Sequence, residues 1–317
     1  MRCLITGGAG FLGSALANRL AEGGHEVRVI DDLSAGSEAN LSPKVMFVRG
    51  DVNDKPRLWS LLQGIECVYH LAARVRVPES LEYPREYNAV NVGGTVSVLE
   101  AMRDVGVKRV VFTSSGAVYG EQAAQPLSEN LPPDPRSPYA VSKLASEFYV
   151  RTIGALWGME TVSLRIFNAY GPGQPLPPSF PPVIPSFLRQ ALTGGSLVIY
   201  GNGSNTRDYV YIDDVVDALV AAATAPGVDR LVINVGSGVE TSTDALARLV
   251  GRVIGKLVEP LYSRQTSGGV SRMCADLALA REKLGYTPKV SLVDGLRRTL
   301  DLDLRFNPAL QKAVPGR

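Results

Sequence analysis

Short continuous apolar runs alternate with longer stretches of helical periodicity through the first half of the chain. That is the pattern of strands buried on both faces and the helices that cover them. It predicts strands at 2–6, 26–31, 44–49, 66–70, 108–114 and 161–167, with helices at 11–23, 55–63, about 91–105 and 138–156. After Tyr170 the texture changes. Residues 171–185 are crowded with proline and glycine and read as irregular chain. Beyond them, short strands at 197–200, 208–211 and 231–235 mix with helices at 213–225, 242–254, 276–284 and 292–302. The expected class is α/β: a doubly wound parallel sheet over 1–170 and a smaller C-terminal α/β substrate-binding lobe over 171–317, with later segments returning to the first domain. The last ten residues, 308–317, are expected to fray.

Composition narrows the class further. With 317 residues, 45% hydrophobic and 20% charged, the chain can bury a large core without disulfides or a structural metal. A net charge of +2 is too small for a nucleic-acid footprint or a polybasic membrane anchor. Cys3, Cys67 and Cys274 share no metal-ligand spacing, and with only His25 and His70 beside them no metal site is expected. No apolar run approaches a membrane span, and Met1-Arg2 leads straight into a short strand with no room for a signal peptide. The expectation is a cytoplasmic protein.

The first strand runs into Thr6-Gly7-Gly8-Ala9-Gly10-Phe11-Leu12-Gly13 and then a helix. Gly7, Gly10 and Gly13 suit a corner where the backbone turns tightly, approaches a pyrophosphate and lets helix pack on strand, as in Rossmann-like folds. Asp31 lies 31 − 10 = 21 positions beyond Gly10, at the end of the second strand. A carboxylate there hydrogen-bonds ribose hydroxyls and repels a 2′-phosphate, so NAD is expected rather than NADP. Asp51 and Val52 follow the third strand; Asp51 reads either as a contact to the adenine amino group or as a helix cap. Leu71, Ala72 and Ala73 end the fourth strand with small residues that let a dinucleotide lie close, while His70 reads as a hydrogen-bonded core histidine.

Ser115 sits at the end of the strand predicted at 108–114. Tyr139 and Lys143, four apart, share one face of the next helix. A nearby ammonium is expected to lower the Tyr139 pKa and make it a usable base, with Ser115 bonding the substrate hydroxyl or relaying its proton.

These stretches resemble the extended short-chain dehydrogenase/reductases, and among them the nucleotide-sugar 4-epimerases. The likeness runs through TGGAGFLG at Thr6, NVGGT at Asn91, SSGAVYG at Ser114, SPYAVSK at Ser137, RIFNAYGPGQ at Arg165, GNGSNTRDYVYIDDVV at Gly201 and NVGSG at Asn234. It implies reversible hydride transfer with tightly held NAD, catalysis by Ser115, Tyr139 and Lys143, and cofactor contacts from Phe11, Leu12, Asp31, Asp51, Val52 and Phe167. It implies that Asn168 and Arg207 hold a nucleotide diphosphate, that Val198 and Tyr200 flank uracil, and that the enzyme is a homodimer. That dimer would pair the helices at 91–105 and 138–156, the second showing apolar Val141, Leu144, Phe148 and Ile153.

Two departures inform the substrate. Family members usually place an arginine and an acid before A-D-x-x-x-A; here Thr266 and Gly269 occupy those positions, and Arg264 serves if the loop is two residues longer. Dehydratase and decarboxylase relatives carry a carboxylate just after the position of Ser115, where this chain has Gly116-Ala117. Elimination therefore lacks its acid and base, whereas 4-epimerisation needs neither. The reading is a UDP-hexose 4-epimerase acting on UDP-glucose and UDP-galactose. UDP-N-acetylhexosamine or UDP-hexuronate is the alternative, and a catalytically idle NAD-binding sensor is the reading from another class. Met273 aligns where the family uses a bulky residue to exclude an N-acetyl group or a small one to admit it.

Overall fold

Seven parallel strands lie side by side because most of their residues have no polar face to give to water. The computed structural model describes residues 1–264 and 269–307, so the expected fraying of 308–317 lies outside the described residues. In chain order the first layer is β1 (Arg2–Thr6), α1 (Phe11–Glu22), β2 (Glu26–Asp31), β3 (Met46–Arg49), α2 (Lys55–Leu62) and β4 (Cys67–His70). Two short helices follow, α3 (Val77–Glu82) and α4 (Pro84–Tyr87), then α5 (Gly94–Val105), β5 (Arg109–Ser115), α6 (Pro138–Trp157) and β6 (Glu160–Ile166).

The rest is β7 (Asn168–Tyr170), α7 (Val183–Leu192), β8 (Val198–Tyr200), β9 (Thr206–Tyr211), α8 (Ile212–Thr224), β10 (Leu231–Val235) and β11 (Glu240–Ser242). It closes with α9 (Thr243–Val253), β12 (Leu261–Ser263), α10 (Ala278–Leu284) and α11 (Leu292–Leu302).

The large sheet has the order β10-β6-β5-β4-β1-β2-β3. The order reverses between β1 and β4, and in doubly wound sheets ligands bind outside the carboxyl ends of the strands at such a point. Alternation along β1 divides the core. Leu4 joins Val68, Val110 and Phe112 beneath α2, α5 and α6, while Cys3 and Ile5 face Leu16, Leu20, Val215 and Leu219 of α1 and α8.

α6 begins sharply because the Ser137 hydroxyl accepts from the Ala140 N–H at 3.1 Å and Pro138 fills the first position, where no N–H is needed. It ends at Gly158, whose φ of +63° suits glycine. The helix expected from 91 opens instead with a π-helical turn, Asn88–Gly93, before α5 proper.

The strand 231–235 lies at the edge of the seven-stranded sheet beside β6, so the chain returns there after β7, β8 and β9 have left it. Two smaller sheets remain outside, β11-β9-β7 and the pair β12-β8. The proline-rich stretch, expected to be irregular, runs into α7 at Val183. Pro182 stands at its N-cap and Pro185 in its first turn, where a missing N–H costs no helical hydrogen bond.

Candidate active site

At the corner after β1, Gly7 has φ +69°, and a Cβ there would meet the Ala72 amide nitrogen at 2.6 Å. A Cβ on Gly13 would lie 2.1 Å from the Gly7 carbonyl oxygen. Neither position admits a side chain, and α1 leaves Gly10 with no side-chain cap and no acid in its first turn. Phe11 and Leu12 are half-buried in that turn. The Asp31 carboxylate accepts from the N–H groups of Ala9 (3.0 Å) and Leu33 (2.8 Å), which ties the end of β2 to the glycine corner. Burial pushes its pKa up, and those N–H groups counter the shift.

Leu71, Ala72 and Ala73 leave β4 half-buried at the same edge. Val52 is buried close to Gly94. Asp51 is exposed and accepts from the Asn53 N–H at 2.8 Å; the cap of α2 is Asp54. A backbone cradle, an uncapped helix turn and a carboxylate at the end of β2 are what a dinucleotide requires, so the residues fit NAD. His70 is pinned between the hydroxyls of Thr6 (2.7 Å) and Thr95 (2.9 Å), and burial pushes its pKa down to about 3. It is a neutral core histidine.

Ser115 ends β5, and its hydroxyl accepts from the Ala117 N–H at 3.2 Å. Tyr139 and Lys143 are both buried on the inner face of α6. The Lys143 ammonium donates to the Thr113 carbonyl at 2.9 Å and lies 5.1 Å from the centre of the Phe112 ring. Burial pushes Lys143 down to about 7, with the Glu147 carboxylate holding it up. Tyr139 is shifted upward by burial, and Ser115 opposes the shift. The net direction is the reverse of the lowering expected from Lys143, because desolvation dominates at the phenol.

Phe167 is buried, its N–H donating to the Val235 carbonyl at 2.9 Å. A Cβ on Gly116 would meet the Met273 methyl at 3.1 Å and the Phe167 ring at 3.2 Å, so both side chains close on the backbone just after Ser115. Met273 is held there by its neighbours: the Ser271 N–H donates to Glu121, Arg272 pairs with Glu240, and the Ala275 N–H donates to Asp208.

Asn168 is exposed on β7 and registers with Tyr209 of β9, two positions from Arg207. Arg207 does not pair with Asp208. Its guanidinium donates to the Thr206 carbonyl at 2.6 Å, whereas Asp208 is fully buried and accepts from Ser237, Gly238 and Ala275. Val198 and Tyr200 are exposed on one face of β8, with Ile199 buried between them. Ser263 registers with Tyr200, so the exposed Arg264 leaves β12 beside the Gly201 turn. The intervening loop residues 265–268 lie outside the described residues.

A second group went unassigned at the sequence level. Glu147 and Arg165 form a buried pair at 2.8 and 2.9 Å, the Ser114 hydroxyl donates to the same carboxylate, and Arg165 lies 4.6 Å over the Tyr119 ring. Tyr119 donates in turn to Asn234 at 2.7 Å. Asn91, within the π-turn, bonds both backbone groups of Arg74 and donates to the Ser142 hydroxyl. Asn91, Ser114, Tyr119, Ser142, Arg165 and Asn234 lie within the motifs that carry the family likeness, but Glu147 does not, and nothing in the sequence joins them.

Fold and site together define an NAD-binding enzyme of the doubly wound α/β class with a Ser-Tyr-Lys set. The model of the NAD dependent epimerase/dehydratase family matches residues 3–236, and the chain belongs to that family. It is 42% identical to the UDP-glucose 4-epimerase of Mycolicibacterium smegmatis over 95% of this chain and 98% of that one. The structure of Thermotoga maritima UDP-glucose 4-epimerase with UDP-glucose superposes with a TM-score of 0.91 at 35% identity, covering 99% of each chain. The UDP-N-acetylglucosamine 4-epimerase of Methanobrevibacter ruminantium, solved with UDP-N-acetylmuramic acid, superposes at 0.90 with 30% identity over 98% of each.

Proposed function

We propose that this NAD-dependent nucleotide-sugar epimerase inverts C4 of a UDP-hexose, with UDP-glucose and UDP-galactose as its preferred pair. The observation that carries the reading is the run Ser115-Gly116-Ala117 beneath Met273 and Phe167. It offers a hydroxyl beside Tyr139 and no carboxylate in the next two positions, which suits oxidation and reduction at one carbon but not elimination. NAD held at the Gly7–Gly13 corner and Asp31 would supply the hydride acceptor and donor for C4.

Tyr139 takes the C4 hydroxyl proton and gives it back, while Ser115 holds that oxygen. The Lys143 charge favours the phenolate. Asn168 and Arg207 hold the diphosphate, joined by Arg264, and Val198 and Tyr200 flank the base. Arg suits the task because its planar fork binds two phosphate oxygens at once. A UDP-N-acetylhexosamine is the second reading, favoured by the unbranched, movable Met273 at the pocket wall. The test is a panel of UDP-glucose, UDP-galactose, their N-acetyl forms and UDP-glucuronate, followed by proton NMR. Appearance of the 4-epimer from UDP-glucose supports the reading; a 4-keto-6-deoxy product, or no turnover of any sugar, overturns it.

A further inference from the structure

We propose that Glu147 is a positioning residue for this reaction, a buried counter-charge that keeps Lys143 an ammonium while Arg165 prevents the two from closing into an ion pair. The inference rests on the preceding assignment of Tyr139 and Lys143.

Two successive turns of α6 meet two successive residues of β5. Lys143 donates to the Thr113 carbonyl, and one turn later Glu147 accepts from the Ser114 hydroxyl. Ser115 comes next, so both contacts fix the strand end that carries it. All four residues are buried. Arg165 grips the carboxylate through two nitrogens, Nε at 2.9 Å and the second at 2.8 Å. Both oxygens are thereby occupied, and the Lys143 ammonium stays on Thr113.

Stability alone is a poor reason for this arrangement. Desolvating two charges is costly, and well-packed apolar side chains in place of such a pair are often neutral or stabilising. The pair is also incompletely satisfied, since one terminal nitrogen of Arg165 has no hydrogen-bond partner among the described residues. An electrostatic task explains it better. Around Lys143, β5 offers a carbonyl and the Phe112 ring, β4 offers neutral His70, α6 offers Tyr139 and Glu147, and β6 offers Arg165 behind Glu147. The Glu147 carboxylate is the negative charge in that set. Burial drives Lys143 down to about 7, and Glu147 opposes the shift. Without it, the ammonium would be lost at a lower pH.

The experiment is the pH dependence of kcat and KM for wild type, Glu147→Gln, Glu147→Asp and Arg165→Lys, with Tyr139→Phe in parallel and circular dichroism for folding. The ammonium is the active form, so activity falls as pH rises through the Lys143 pKa; removing the carboxylate moves that alkaline limb down. Glu147→Gln should shift it by about one pH unit, so that kcat relative to wild type is about tenfold lower near pH 9 and only about twofold lower at pH 6, with KM little changed. Glu147→Asp, with its carboxylate drawn back, should shift it the same way but less. Arg165→Lys keeps the charge and should keep the limb.

A uniform fall of kcat at every pH in the folded Glu147 variants would mean that Glu147 is structural, and overturns the proposal. If Glu147→Gln does not fold, an unshifted limb in Glu147→Asp overturns it equally. Near-normal turnover in Tyr139→Phe would instead bring down the underlying assignment; an inactive Tyr139→Phe with unshifted limbs brings down only this one.

Discussion

At Tyr139 two demands compete. Its ring must be buried to meet a sugar away from water, yet burial disfavours the phenolate the chemistry uses. The Ser115 hydroxyl is what the chain sets against that cost. Tyr139→Phe removes the base and little shape, so nucleotide-sugar affinity should be retained while kcat falls by ~10²–10⁴-fold. Titration calorimetry and turnover on the same preparation check both halves, and near-normal turnover would remove Tyr139 from its role.

Met273 poses the other residue-scale question. Its methyl lies against Gly116, one residue from Ser115, and an unbranched thioether can move aside. UDP-glucose and UDP-galactose should be used well and their N-acetyl forms more slowly, since crowding one methylene-sized group is worth only ~1–3 kcal/mol. Met273→Tyr should suppress the N-acetyl activity selectively. Equal loss of both activities, or no change in either, would show that Met273 does not line the C2 position. At Asp31 the prediction is copurified NAD(H), read by mass spectrometry of the released nucleotide; a strong preference for NADP would defeat the carboxylate argument.

Among elements, the glycine corner leaves no room for a side chain. Gly13→Ala would drive a methyl into the Gly7 carbonyl, and relief requires α1 to move off β1. The expected result is a destabilisation of ~1–3 kcal/mol together with loss of bound dinucleotide, read by thermal melting and by absorbance of the released cofactor. An alanine variant with unchanged melting and a full complement of cofactor would contradict the close-packed corner.

This corner was legible in sequence because its residues are neighbours along the chain. So were β1, β2, β10 and α11, whose periodicity and flanking residues mark their ends. Elsewhere local signals misled. Prolines at 181, 182 and 185 read as breakers, yet 182 and 185 stand where a helix start tolerates them. Ile153 read as part of an exposed apolar face but packs in the core with Val110 and Phe112, because it shares the inward face of α6 with Val150. The Glu147–Arg165–Tyr119–Asn234 network was hidden for a different reason. Its members lie on α6, β6, the turn after β5, and β10, and only the order of the finished sheet brings them together.

For the whole molecule, the unanswered surface is the outer face of α6. Val141, Phe148 and Tyr149 are 51%, 48% and 45% exposed, and their spacing of seven and eight puts them on one stripe. Leu81 of α3 is 64% exposed, and α6 packs against both α3 and α5. Contiguous apolar surface of this kind mostly marks an interaction site. A second copy is the simplest occupant, because a two-fold axis lets one helix pair meet itself as a four-helix bundle, and such pairing is the commonest oligomer. With Ile153 in the core, the exposed stripe runs over residues 141–149 of the helix that also carries Tyr139 and Lys143, so pairing would stiffen that helix. Light scattering at micromolar concentration should give the mass of two chains. Phe148→Glu buries a charge at the centre of such a bundle and should yield monomers that still retain NAD, since the glycine corner lies on a different part of the sheet. A monomeric wild type, or a Phe148→Glu variant that remains dimeric, would place the contact elsewhere.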